Sequence, residues 1–238
     1  MNKMVFAAIA LVVLPVSAQA QNLNNIYVGL RGGANWLLNT NASVNGFASV
    51  LGVGSGSLSG TDSLNLQTGW AGGGFIGYDF VGPRAELEVL YRDNTGTESG
   101  RFPVSGVGTI GVNGYAQIRQ TSVMANVYYD FFAHQAFTPY VGAGAGVAFL
   151  NTHLGGVTDS TDTEFAYQAI VGVGYKVMPN VRLNLDGRYY GTLNPSINAG
   201  FKSNEFTTPV SGNITGSYPN NNFSIMASVV FSFGTPSP

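Results

Sequence analysis

The sequence predicts an all-β protein, an eight-stranded antiparallel up-and-down transmembrane β-barrel with short periplasmic turns and four long extracellular loops. Three observations predict this fold. Apolar and polar residues alternate along eight segments, which is typical of strands with two different faces. The connections between the segments alternate between short and long, as in bacterial outer-membrane barrels. Only 9% of the residues are charged, whereas soluble proteins have about 25%.

The first twenty residues have the three zones of an export signal. Lys3 supplies the positive start, residues 4–14 are apolar, and Ala18-Gln19-Ala20 is a small-x-small cleavage site. We therefore predict a signal peptide over residues 1–20, cleavage after Ala20, and a single outer-membrane barrel domain over residues 21–238. The apolar stretch is too short to cross a bilayer as a helix, and no later stretch reaches the roughly 18 residues that a helix needs.

The strand pattern is clearest in residues 84–92, 181–190 and 223–233. In each, every second side chain is apolar and most of those between are charged or polar. A helix would scatter the polar residues around its circumference. Five weaker segments complete the set: residues 26–37, 69–80, 119–131, 138–150 and 165–177. Their lengths fit tilted membrane strands, which need about 9 to 11 residues.

The connections between these segments alternate in length. Residues 81–83, 132–137 and 178–180 are short connections, and the long ones are residues 38–68, 93–118, 151–164 and 191–222. In outer-membrane barrels the turns lie in the periplasm and the loops lie outside the cell. Because the strand number is even, both termini are expected in the periplasm. The first and last long connections are rich in Asn, Ser, Gly and Thr, which is typical of exposed segments.

Aromatic residues on the apolar face of each segment fall into two bands, as expected for the girdles of a barrel at the two membrane interfaces. The band near the long connections comprises Trp36, Trp70, Tyr91, Phe149, Tyr167, Tyr189 and Phe223. The band near the short turns comprises Tyr78, Phe80, Tyr129, Phe131, Tyr175, Phe231 and Phe233. A soluble β-sandwich would also show alternation, but the strand lengths, loop asymmetry, aromatic bands and low charge favour the membrane barrel.

If the apolar faces meet lipid, the charged side chains of the opposite faces lie inside the barrel. These are Arg31, Asp79, Arg84, Glu86, Glu88, Arg92, Asp130, Lys176, Arg182, Asp186 and Arg188. An eight-stranded barrel is only wide enough for side chains to fill, so we expect a salt-bridged polar plug. Inward glycines allow two interpretations, room for Arg and Tyr side chains or a narrow water path, and we favour the first. Their positions are 73, 77, 142, 144, 146, 172 and 174.

Arg119 breaks the pattern, because it shares the lipid-facing side of its segment. Its place at the start of the segment puts it at headgroup level, where the cost of a lipid-facing Arg falls to about 0 to 1 kcal/mol. Two interpretations remain: a snorkelling side chain or a contact with a lipopolysaccharide phosphate.

Two stretches, VMANVYYDF at residues 123–131 and TPYVGAGAGVA at residues 138–148, resemble the surface-antigen and opacity-protein branch of the small OmpA-like barrels. Residues 26–34 and 228–233 are similar to the first and last strands of that family. The resemblance spans the chain after residue 20 except for the loops. It implies a final strand whose terminal aromatic residue is read by the barrel-assembly machinery, and here Gly234 to Pro238 follow Phe233.

Composition and motifs exclude several function classes. Cysteine is absent and the net charge is −2, which argues against thiolate metal sites and against a nucleic-acid partner. Of the two histidines, His134 falls in a short periplasmic turn, and His153 opens an external loop with no Asp or Glu neighbour to orient it for a hydrolytic site. We therefore predict no enzyme activity, no catalytic residue, no cofactor and no metal.

The function that we predict is that of a monomeric surface protein of the outer membrane. Its plugged barrel would serve envelope integrity or adhesion, and the alternative is a narrow porin for small solutes. The expected partners are outer-membrane lipids and lipopolysaccharide, the barrel-assembly machinery, and a host or environmental ligand at the loops.

Overall fold

The computed structural model describes residues 25–38, 40–50, 54–66, 68–104, 108–133, 135–154, 160–193, 196–203, 210–217 and 220–233. The predicted signal peptide with its cleavage site, His134 and the segment after Phe233 lie outside these ranges. Among the described residues, no helix is long and apolar enough to span a membrane.

The described part of the chain forms twelve strands. In chain order they are β1 (Ile26–Leu37), β2 (Thr40–Val50), β3 (Gly54–Leu66), β4 (Gly69–Asp79), β5 (Pro83–Val104), β6 (Gly108–Asp130), β7 (Phe137–Leu154), β8 (Ser160–Met178), β9 (Val181–Thr192), β10 (Ser196–Ser203), β11 (Val210–Ser217) and β12 (Asn220–Phe233).

Eight of these strands close a barrel. In circular order they are β1, β4, β5, β6, β7, β8, β9 and β12, and every neighbouring pair is antiparallel. Each barrel strand corresponds to one of the eight segments predicted from alternation. The predicted all-β, eight-stranded antiparallel barrel is therefore confirmed, and the soluble sandwich alternative is wrong because the sheet closes on itself.

The long connections contain more strand than the sequence predicted. β2 and β3 form an antiparallel pair, which we call the β2–β3 hairpin, and β10 pairs with β11, while β5 and β6 remain paired as far as Val104 and Gly108. In addition, β3 pairs with the outer part of β5 and β11 pairs with β2. These segments lack apolar alternation because neither face meets hydrocarbon, yet their backbones still complete hydrogen-bonded ladders. We call this end of the barrel the extended end and the opposite end the turn end.

In contrast to a soluble protein, the barrel wall has its apolar side chains on the outside and its charged side chains on the inside. The outward side chains of Leu87, Val127 and Val171 are 53%, 63% and 63% exposed, whereas the inward Glu88 is 0% exposed. Apolar side chains with so much exposed surface are stable only against another apolar medium. The barrel therefore presents hydrocarbon-compatible side chains outward and encloses its charges.

The turn between β4 and β5 is a two-residue hairpin. Val81 has a φ of 66° and Gly82 has a φ of 112°, and the N–H of Phe80 donates to the carbonyl of Pro83 at 2.8 Å. Positive φ at both central residues is characteristic of a type I′ turn, which favours Asn-Gly. A β-branched residue in this conformation is unfavourable, so Val81 is a poor fit to its own turn.

We expect Val81→Asn to stabilise the barrel by roughly 1 kcal/mol, because Asn adopts positive φ with little steric cost. The measurement is the urea midpoint of folded protein in detergent. Gly82→Ala is the opposing control and should lower the midpoint, since a Cβ at this φ is strained although nothing lies within 4 Å of it. An unchanged or lower midpoint for Val81→Asn would contradict the expectation.

Candidate functional site in the barrel interior and at the extended end

The inward faces of the barrel strands enclose most of the charged residues that the sequence placed inside. Because successive side chains of a strand point to opposite faces, the alternation along β1, β5, β6 and β9 directs these groups into the lumen. Eight of them are buried: Arg31, Arg84, Glu86, Glu88, Arg92, Asp130, Asp186 and Arg188. Arg182 is inward as well, with 11% of its side chain exposed.

Glu88 lies at the middle of a central cluster that comprises Arg31, Glu86, Glu88, Asp186 and Arg188. Its Oε2 is 2.6 Å from Nη1 of Arg31 and 2.7 Å from Nη1 of Arg188. Arg31 also contacts Glu86 at 2.7 Å, and Arg188 contacts Asp186. One carboxylate thus connects β1 and β9 across the lumen, and every member of the cluster has a partner of opposite charge.

Buried tyrosines complete the hydrogen bonds of the central cluster. The hydroxyl of Tyr128 donates to Glu86 at 3.0 Å, and that of Tyr140 donates to Asp186 at 2.9 Å. Sequence analysis missed both residues because it counted aromatic side chains only on the apolar faces. Their position on the polar faces of β6 and β7 was the available signal, since an aromatic residue there must lie inside.

Several inward glycines provide the space that these tyrosines occupy. A Cβ at Gly142 would lie 2.5 Å from the ring of Tyr128, and one at Gly172 would lie 2.6 Å from the ring of Tyr140. A Cβ at Gly77 would lie 2.2 Å from the ring of Tyr27. At these positions, side chains that reach across the lumen fill the room left by glycine.

A second cluster lies toward the turn end and is centred on Asp130. Its Oδ1 accepts from Nε of Arg84 at 2.9 Å, and its Oδ2 accepts from Nη1 of Arg182 at 2.9 Å. The Arg84 guanidinium also stacks over the ring of Tyr128, 4.6 Å from the centroid. Asp130 of β6 therefore connects β5 and β9, just as Glu88 of β5 connects β1 and β9 nearer the middle of the barrel.

Asp79 and Lys176 lie apart from both clusters, contrary to the prediction that they belong to one interior charge network. Oδ1 of Asp79 accepts from the N–H of Val81 at 2.8 Å, and Nζ of Lys176 donates to the carbonyl of Ala133 at 3.1 Å. Both residues are inward by alternation, but they sit where their strands meet the turns. Backbone groups of the turns are the nearer partners there.

Toward the extended end, the interior is lined by amides. Asn35 donates to Asn94 at 2.7 Å and to Asn222 at 3.0 Å, while Asn220 donates to Gln120 at 3.0 Å. Gln120 in turn donates to the hydroxyl of Tyr190. Sequence analysis also missed this layer, because an uncharged amide near a strand end resembles a loop residue.

The outer surface carries the aromatic residues that the sequence assigned to two bands. Toward the extended end, the ring centroids of Trp70 and Tyr91 are 5.4 Å apart and those of Trp36 and Phe223 are 6.1 Å apart. Toward the turn end, the centroids of Tyr78 and Phe80 are 4.6 Å apart and those of Tyr129 and Phe131 are 5.2 Å apart. Phe149, Tyr167, Tyr175, Tyr189, Phe231 and Phe233 are exposed on the same surface. The side chain of Arg119 is 54% exposed beside the first band, with its Nε 3.6 Å from Asp93.

A polar contact joins β8 and β10 at the extended end. Oδ2 of Asp162 accepts from the N–H of Ser196 at 2.8 Å and from its hydroxyl at 2.9 Å. Although burial raises the pKa of Asp162, these hydrogen bonds hold it below its ordinary value of 3.8. A lowered pKa means that the contact is fully present above pH 3.8 and is lost as the pH falls through the lower value of the folded protein.

We expect Asp162→Ala to speed amide hydrogen exchange at Ser196 and in the adjoining β10 at least about fivefold at neutral pH, since two hydrogen bonds to a carboxylate are removed. Hydrogen exchange followed by mass spectrometry measures this change. Thr161→Ala alters the neighbouring exposed residue and is the matched control. Equal exchange in both variants would show that the contact does not hold β10.

Comparisons with known proteins agree with this architecture. Residues 6–231 match the family described as outer membrane protein beta-barrel domain. The chain is 30% identical over 142 residues to the outer membrane protein PagN of Salmonella typhimurium. The matched region covers 54% of this chain and 59% of PagN. It is also 30% identical over 149 residues to major surface antigen 4 of Anaplasma marginale, and that matched region covers 56% of this chain and 50% of the antigen.

The chain therefore spans between half and three fifths of the length of these two relatives. Among solved structures, the outer membrane protein OprG from Pseudomonas aeruginosa has a TM-score of 0.52 at 12% identity, with 90% of this chain and 100% of that chain covered. At this identity the likeness concerns the fold alone.

Proposed function

Since the chain belongs to the outer membrane protein β-barrel domain family, we propose that this outer-membrane surface protein is a plugged anchor whose extended end mediates adhesion. Its location is the outer membrane, and its extended end is the extracellular one. The proposal has two parts, one about the interior and one about the strands that project beyond the membrane.

The observation that supports a plugged interior is the mutual pairing of the central cluster. Glu88, Arg31 and Arg188 span the lumen and are 0%, 6% and 1% exposed. An ion that crossed the barrel would have to separate these buried pairs. This is costly because a buried charge without its partner is neither paired nor hydrated. A lumen of this kind anchors the protein and does not conduct.

The observation that supports adhesion is the length of ordered strand outside the girdle. From the girdle residue Tyr91, β5 continues to Val104, which at roughly 3.3 Å per residue adds about 40 Å of strand. Four other strands extend this sheet from β5 in the order β3, β2, β11 and β10. Such a sheet offers a preformed surface to a partner, and the relative named major surface antigen 4 is a surface protein by its name.

Planar-bilayer recording tests the plugged interior against the porin alternative. We expect refolded wild-type protein to be silent, and we expect Glu88→Ala, which removes the connecting carboxylate, to introduce openings. Folded protein is verified by its heat-modifiable mobility in gels. Stable, reproducible openings of the wild type would support the narrow porin and reject the plug.

Adhesion is tested with bacteria that express the full chain or a chain in which a short Gly-Ser linker replaces residues 40–66. Binding to immobilised host or matrix proteins should fall at least tenfold when the β2–β3 hairpin is missing. Surface levels are matched by labelling of intact cells, and a strain without the gene sets the background. Undiminished binding by the shortened chain would remove adhesion through this hairpin from consideration.

The remaining parts of the proposal concern partners and catalysis. We propose that the protein is a monomer, inserted by the barrel-assembly machinery, whose girdles contact outer-membrane lipids and lipopolysaccharide. We also propose that it is not an enzyme. The two relatives described above are an outer membrane protein and a surface antigen by name.

A further inference from the structure

Arg92 is a deeply buried cation without a carboxylate partner among the residues that the structure describes. Its relative exposure is 1%. Nη1 donates to Oγ of Ser122 at 2.9 Å, and the guanidinium lies 3.8 Å from the centroid of the Tyr190 ring. Nε and Nη2 have no hydrogen-bond partner in the part of the chain that the structure describes. The described contacts of this cation are therefore one neutral hydroxyl and one ring face, and two of its nitrogens are left without an acceptor.

The charge balance of the interior isolates Arg92. The described barrel interior away from the turns holds five arginines, Arg31, Arg84, Arg92, Arg182 and Arg188, and four carboxylates, Glu86, Glu88, Asp130 and Asp186. The other four arginines each have a nitrogen within 3 Å of a carboxylate oxygen. The excess positive charge thus belongs to Arg92, and a guanidinium does not lose its proton in a protein.

Glu88 is the nearest inward-facing carboxylate to Arg92 along β5, and both of its oxygens already have partners. Oε2 is shared by Arg31 and Arg188, and Oε1 accepts from Nε2 of Gln168 at 3.2 Å. A rotation of the Glu88 side chain toward Arg92 would remove one carboxylate partner from each of those two arginines. Within the described ranges, no carboxylate therefore supplies the missing negative charge.

The wall beside Arg92 has short side chains. On β4 the inward positions nearest to Arg92 are Gly69, Ala71 and Gly73, and Ala71 is directly opposite Arg92 in the ladder. Met226 packs against Ala71 and Leu90, and its unbranched thioether adapts to small changes in shape. Because Nε and Nη2 of Arg92 are themselves buried away from solvent, a monatomic ion fits here better than a larger anion such as phosphate or a carboxylate.

We propose that Arg92 binds a single halide ion, chloride under physiological conditions, through Nε and Nη2. The ion neutralises the excess charge of the described interior and accepts a hydrogen bond from each of these two nitrogens. It lies beneath the amide layer at the extended end, so it enters from the extracellular side or during folding. This inference is independent of the proposed adhesive function.

The first test compares thermal unfolding of the refolded protein in sodium chloride and in sodium gluconate at equal ionic strength, since gluconate is too large for the site. We expect the midpoint of the wild type to be higher in chloride by roughly 2 to 4 °C, as binding to the folded state requires. Arg92→Met should lose this difference. Arg119→Met removes an exposed positive charge and should keep it, which controls for a general salt effect.

A second measurement covers the case in which Arg92→Met does not fold. Wild-type crystals grown in sodium bromide should show an anomalous peak at hydrogen-bonding distance from Nε and Nη2 of Arg92. A water molecule or no density at that position, with equal midpoints in chloride and gluconate, would overturn the proposal. So would a chloride effect of the same size in Arg92→Met and in the wild type.

Discussion

Glu88→Gln is expected to destabilise the barrel by about 3 to 5 kcal/mol, the cost typical of removing one partner from a buried ion pair. Glu88 is 0% exposed and holds Arg31 and Arg188 with one oxygen. Gln has nearly the same shape as Glu, so no cavity is formed. The loss of unfolding free energy therefore reports on the removed charge alone. The free energy of unfolding in urea, followed by the heat-modifiable band and by tryptophan fluorescence, measures the change.

The matched control for this substitution is Glu164→Gln on β8. Glu164 is half-buried at the extended end, beyond the girdle residue Tyr167, so the same chemical change should stay within about 0.5 kcal/mol. A double-mutant cycle with Arg188→Met separates the ion pair from other effects. If Glu88→Gln costs no more than Glu164→Gln, the central cluster does not stabilise the barrel in the way described.

Leu87→Arg is expected to destabilise the protein in lipid by about 2 to 4 kcal/mol, because it puts a guanidinium at the middle of the hydrocarbon layer. Leu87 is 53% exposed on the outer surface. It lies next to Ile76 of β4 and Ala125 of β6 in the ladders, at a level between Tyr78, which pairs with Ala85, and Tyr91. The measurement is reversible urea unfolding in phospholipid vesicles.

Phe165→Arg provides the depth control for this prediction. Phe165 is 51% exposed on the same outer surface, but it lies on the extended-end side of Tyr167, where the cost should be about 0 to 1 kcal/mol. The difference between the two sites is therefore the informative quantity. Equal costs at Leu87 and Phe165 would mean that the hydrocarbon layer is not centred on the level of Leu87.

Alternation predicted the direction of the charged side chains well, since a strand has only two faces. Glu86, Glu88 and Arg92 share one face of β5 whatever the rest of the chain does, and all three are buried. The pairing partners were not predictable in this way. Arg188 and Glu88 are 100 residues apart in the chain, and the barrel registers alone bring them together.

The tyrosines and amides of the interior show a different limit. Tyr128 and Tyr129 are adjacent in the chain, yet Tyr128 donates to Glu86 inside the barrel and Tyr129 packs with Phe131 outside. Residue type alone assigns both to a girdle. Attention to the face as well as the type would have placed Tyr128 correctly, and the same holds for Asn35 and Gln120.

By itself, the sequence determined the closed barrel, its number of strands, its inside and its outside, because each of these follows from local alternation and from the lengths of the connections. Only the tertiary structure decided which charges meet, which cation is left without a partner, and that the long connections continue as strands. Such features depend on register between distant strands and on backbone hydrogen bonds, which any small polar residue can form and which therefore leave little trace in the amino-acid pattern.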